Sequence, residues 1–195
     1  MKANLVLIVG LIVFLGAHSV RIVAEDWRSA TIVRIGEKSW KNLITVLSLL
    51  GFGLIVWGFG LARAEPVALW LPPAWTRHMV ALLTLPAFIL LVAAYVPGNR
   101  IKSAIGHPWV AGVKIWALAH LLANGNLSDV LLFGSFLVWA IFSFRSLRAR
   151  DRVAAVTYPA GPMSKTIIAI VIGIALWAIF AMVLHAMLIG VRPFG

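Results

Sequence analysis

Apolar residues occur in runs of near-spanning length, and the breaks between runs carry the prolines, glycines and charges. This pattern predicts helices over residues 4–23, 42–62, 78–96, 108–123, 127–144 and 165–190. A helix needs about 20 residues to cross a hydrocarbon core of about 30 Å, so the fourth run is short and the sixth long. "GNRIKSAIGHP" separates the third run from the fourth, and Pro108 suits a first helical turn. "NGNLSD" makes a tight turn into the fifth, with Asn126 or Ser128 as its cap.

Between the first two runs, "DWRSATIVRIGEKSWKN" sets Trp27, Val33 and Trp40 against Arg28, Arg34, Lys38 and Lys41, as expected of an interfacial stretch. "EPVALWLPPAW", with its tryptophans and prolines, reads as a loop at headgroup level. The opening run, "KANLVLIVGLIVFLGAHS", has some features of a signal peptide. It is read here as a membrane helix, since its loss would also remove one of the five histidines. No soluble domain is left over. The expected fold is all-α, a polytopic transmembrane helical bundle of about six helices forming one integral membrane domain over residues 1–195.

Composition agrees: 62% of the residues are hydrophobic and 12% charged, against about 25% charged in a soluble domain. Seventeen Lys and Arg against six Asp and Glu give a net charge of +11. At this hydrophobicity the excess marks loops facing an anionic leaflet, and no basic run interleaved with aromatics suggests nucleic acid. Cysteine is absent, which excludes disulfides, thiolate metal sites and a Cys nucleophile. Twelve basic residues (Arg21, Arg28, Arg34, Lys38, Lys41, Arg100, Lys102, Arg145, Arg148, Arg150, Arg152 and Lys165) fall on one face of the predicted bundle. Lys2, Arg63, Arg77 and Arg192 fall on the other, and Lys114 lies within the fourth helix. The bias puts the first face in the cytoplasm and both termini in the periplasm.

Phosphate-loop, HExxH, GxSxG and dinucleotide motifs are all missing. The glycines of "GFGLIVWGFG" lack the strand and helix context of a phosphate loop and read as close helix packing. The chemistry therefore rests on His18, His78, His107, His120 and His185. Ionisable side chains at membrane depth are costly and usually face the bundle interior. His18 lies inside the first helix, and His120 shares a stripe with Gly112, Trp116 and Asn124. His185 continues the small-residue stripe Ala169, Gly173, Trp177, Ala181. All three are expected to point inward, as interhelical hydrogen-bond partners or as cofactor ligands. Imidazole is the usual iron ligand of heme, and two on different helices can hold one iron axially.

His78 and His107 open helices near an interface and read more simply as wetted or cap-like side chains. Lys114, two turns after His107, could pair with a heme propionate or snorkel to the interface. Asp129 opens the fifth helix, where a carboxylate suits the helix dipole. "RSLRARDR" reads as a topological anchor.

At "FLGAHS", "IGEK", "GHPWVAGVKIWALAHLLANGN" and "FRSLRARDR", and through His185, the chain resembles the NnrU family of bacterial membrane proteins associated with denitrification. It is similar, more distantly, to the zeta-carotene isomerase of plants and cyanobacteria. The resemblance covers nearly the whole chain, and the order and spacing of the short motifs make it specific. It implies heme b with His18 and His120 as iron ligands. It also implies that His107 and His185 orient a propionate, bond a ligand histidine or supply an alternative ligand. The isomerase pattern has a cysteine three residues before the second histidine, where this chain has Ala117, so a thiolate switch is missing.

Two function classes follow from the resemblance. One is a heme protein of nitrogen-oxide metabolism in the inner membrane, meeting a small diatomic ligand or a protein partner of nitrite and nitric oxide reduction. The other is a heme-dependent isomerase acting on an apolar polyene. A structural or assembly subunit without cofactor, its histidines packing helices, is the third reading.

Overall fold

Every predicted run is helical in the computed structural model, which describes residues 2–193. Helix α1 spans Lys2–Val23, α2 Glu25–Ile35, α3 Glu37–Ala64, α4 Thr76–Tyr95, α5 Arg100–Ile105 and α6 Pro108–Ala123. Helix α7 spans Leu127–Val153 and α8 Met163–Ile189. Among the described residues there is no strand, and α1, α3, α4, α7 and α8 are long and apolar enough to cross a membrane. The chain is thus an all-α polytopic bundle. Helix α6 matches its predicted bounds; its 16 residues reach about 24 Å, short of a full hydrocarbon core.

Two helices extend beyond the apolar pattern because charged residues continue them. Helix α3 starts five residues before its apolar run, with Lys41 Nζ 2.7 Å from Glu37 Oε1 across one turn. Helix α7 runs on through the basic "RSLRARDR" segment. The interfacial stretch forms α2, which buries none of its residues and is separated from α3 by Gly36 at φ +85°. That left-handed backbone suits glycine.

Contacts divide the chain into two units. The first holds the described residues through Trp70 together with Gly125–Trp139. Its centre is α1 packed on α3. An added Cβ would stand 2.6 Å from Ile55 N at Gly10 and 2.6 Å from Phe14 N at Gly51, and would collide with the Leu7 backbone at Gly58. These glycines let two backbones approach closely, as expected of "GFGLIVWGFG". Gly53 and Gly60 meet nothing within 4 Å, so only one face of that motif packs. The Pro-rich loop is pinned by Leu127 N donating to Val67 O and Leu69 N donating to Gly125 O, both at 2.8 Å. Asn126 caps α7 with its backbone and side-chain nitrogens donating to Asp129 Oδ2, which accounts for the buried Asp129.

The second unit holds Leu71–Asn124 and the described residues from Ala140 on. Helix α4 packs against both α6 and α8. Gly112 of α6 meets Ala87 O, and Gly173 of α8 meets Ile89 Cα. Thr84 on α4 accepts a hydrogen bond from Trp177 Nε1 at 3.1 Å. Ala169, Gly173 and Trp177 therefore form the contact stripe predicted for this helix. Fully buried Asn99 caps α5, accepting from Lys102 N at 2.8 Å and donating to Ala93 O at 2.7 Å.

Candidate functional site

His18 lies on the α1 stripe that includes Leu7, Leu11 and Phe14. Its Nδ1 donates to Phe14 O at 2.7 Å, an i−4 carbonyl. That bond holds the ring and puts the ring proton on Nδ1, leaving Nε2 as the acceptor nitrogen. Aromatic rings surround it: Phe14 is centred 4.5 Å away and Trp139 6.3 Å, edge-on. Phe14 in turn touches Phe52 and Phe136. Trp139 Nε1 is buried and has no hydrogen-bond partner among the described residues. A buried unpaired N–H costs roughly 1–3 kcal/mol.

His120, in the second unit, repeats the local geometry. Its Nδ1 donates to Trp116 O at 2.8 Å, again an i−4 carbonyl, and its ring is centred 5.2 Å from Trp116. Asn124 Nδ2 donates to His120 O at 2.8 Å, so the predicted stripe Trp116, His120, Asn124 is joined by hydrogen bonds. Ala117, three residues earlier, is fully buried. His18 and His120 belong to different units.

A π-turn over Phe180–Leu184 interrupts the helical repeat between Trp177 and half-buried His185. Its Nδ1 donates to Val191 O at 2.7 Å, and its ring meets Phe180 edge-on. His78 is exposed at the start of α4.

His107 holds the N-cap position of α6, but its side chain makes no capping hydrogen bond and is largely buried. Gly106, at φ +78°, turns the chain before it, and a Cβ there would stand 3.2 Å from Tyr158. Nε2 of His107 lies 2.7 Å from Asp151 Oδ2, and Tyr158 OH donates to the same carboxylate at 3.2 Å. Burial, then the Asp151 charge and hydrogen bond, push the Tyr158 phenol above its ordinary value, with Arg148 opposing. Lys114 Nζ sits 4.2 Å from the centre of the Phe144 ring, whose edge also meets His107. Asp151 and Tyr158 went unnoticed in the sequence; the one available signal was a lone acid inside a basic cluster. Among the described residues no three His, Cys, Asp or Glu side chains form a metal-holding group.

The NnrU protein family matches residues 6–193, nearly the whole chain and both units. The chain belongs to the NnrU family. No curated protein and no solved structure matches it. Within this NnrU chain the resembling motifs fall on distinct structures. "FLGAHS" carries His18 and its carbonyl anchor, and "IWALAHLLANGN" carries His120 and its anchor. "GHP" and "FRSLRARDR" meet through the His107 and Asp151 pair.

Proposed function

We propose that this NnrU-family membrane protein binds heme b and serves nitrogen-oxide metabolism, in nitrite and nitric oxide reduction or its control, within the bacterial inner membrane. His18 and His120 are the proposed iron ligands. The observation that carries the reading is their shared local geometry. Each imidazole sits in an apolar helix, and each Nδ1 donates to the carbonyl four residues earlier, at 2.7 and 2.8 Å. That arrangement fixes ring and tautomer and leaves Nε2, the nitrogen a ligand histidine presents, without the ring proton.

The residues around His18 fit the group. Phe14, Phe136 and Trp139 supply an aromatic lining, and the orphaned Trp139 Nε1–H is a donor whose burial a polar group of a bound molecule would offset. When bound, heme supplies an iron for electron transfer or for holding a diatomic. The protein's part is to orient the imidazoles and to exclude water with apolar helices. His107 is proposed to position the α6 entry through Asp151, and His185 to anchor the end of α8. The basic face carrying Arg145 to Arg152 is proposed to be cytoplasmic, with both termini periplasmic.

The test is the absorption spectrum of protein purified from heme-replete cells, oxidised and reduced, with and without nitric oxide. A b-type spectrum is expected, lost or strongly shifted in His18→Ala and His120→Ala and kept in His78→Ala. A colourless preparation, or both ligand variants unchanged, overturns the assignment.

A further inference from the structure

The last turns of α7 carry Arg145, Arg148 and Arg152 at i, i+3 and i+7, one stripe of the helix. With Phe144 and Ala149 they line an open surface depression. All three arginines are exposed. Among the described residues none has a carboxylate within 4.0 Å; the nearby Asp151 is held by His107 and Tyr158. Arg148 makes only a long bond, Nη1 to Ile105 O at 3.4 Å. Three guanidinium groups thus face one depression with their charge unneutralised, where self-repulsion favours a bound anion.

One turn earlier, α7 presents Ile141 and Phe142, 39% and 54% exposed. Its outward surface therefore changes from apolar to cationic within a turn, at the end of a helix long enough to span a membrane. A phospholipid has the same junction, acyl chain to phosphodiester. Arginine suits the phosphodiester because its planar fork donates two parallel hydrogen bonds to phosphate oxygens.

We propose that this face is a binding site for an anionic phospholipid, its phosphodiester held by Arg145, Arg148 and Arg152 and an acyl chain lying on Ile141 and Phe142. The apolar approach selects lipid over a free anion. The proposal is independent of heme.

The test uses the full chain in neutral detergent and native mass spectrometry with dioleoylphosphatidylglycerol or dioleoylphosphatidylcholine. Phosphatidylglycerol should be retained preferentially. The triple variant R145Q/R148Q/R152Q should weaken that retention by on the order of a hundredfold, given the usual contribution of each basic side chain near an anionic headgroup. R34Q/K38Q/K165Q removes as many exposed charges elsewhere and should retain the lipid. If the triple variant fails to fold, R152Q alone, at an exposed side chain with no carboxylate within 4.0 Å among the described residues, should still weaken retention several-fold. Equal retention of both lipids, loss in the control variant, unchanged retention in R152Q, or displacement by millimolar inorganic phosphate overturns the proposal. So does preferential capture of an acidic peptide.

Discussion

Nε2 of His107 lies 2.7 Å from Asp151 Oδ2, across 44 residues of chain. The pair ties the entry of α6 to the end of α7, with side chains only 16% and 17% exposed. Asp151→Asn keeps the shape and removes the charge, and should cost about 1–3 kcal/mol. His107→Ala should cost a similar amount, and the double variant little more than the larger single loss, because both remove one interaction. Denaturation in detergent micelles measures this; additive losses would show that the two residues act separately.

Tyr158 gives stability an alkaline limit. Its phenol titrates higher in the folded chain than its ordinary value of 10.0, so the folded state holds the proton more tightly. The contribution is complete below that value and fades as pH rises through the raised one. Melting followed from pH 8 to pH 11 should fall at the top of the range, and Tyr158→Phe should flatten the fall.

The glycines of α3 should divide by face. Gly58→Ala and Gly51→Ala drive a Cβ into the α1 backbone and should cost about 1–3 kcal/mol. Gly53→Ala and Gly60→Ala meet open space and should gain about 0.5–1 kcal/mol from helix propensity. Thermal melts of the four variants read the contrast; equal effects on both faces would contradict the packing.

Asn99 is wholly buried, and its amide serves both neighbouring turns. Asn99→Ala leaves the Ala93 carbonyl and the Lys102 amide without this partner and should lower stability by about 1–3 kcal/mol. Loss of amide-exchange protection at Lys102 is the local readout.

Much of the architecture was legible because it is local. Apolar runs long enough to span, broken by Pro and Gly, predict helices from their own composition, and all of them form. The stripe through Gly173 and Trp177 was equally readable, since it needs only a helical repeat. The helix ends were read short at Glu37 and Val153, where ion pairs and arginines continue the backbone past the apolar pattern.

The sites divide in the same way. The apolar pattern places His18 and His120 within helices, and their bonds to the carbonyls of Phe14 and Trp116 follow from i−4 geometry. Before His185 a π-turn interrupts the helical repeat, and no proline in the sequence announces it.

By itself, then, the sequence determined an all-helical membrane chain, its apolar helical runs, the close packing of its glycine motif and the helices that bear its histidines. Those properties depend on residues within a turn or two of one another. Only the tertiary structure decided that His107 meets Asp151 and Tyr158 and that, among the described residues, Trp139 stands beside His18 with an unpaired N–H and Arg145, Arg148 and Arg152 have no carboxylate within 4.0 Å. Each of these depends on which distant side chains arrive at one point, and helical periodicity fixes a residue's direction without fixing what it meets.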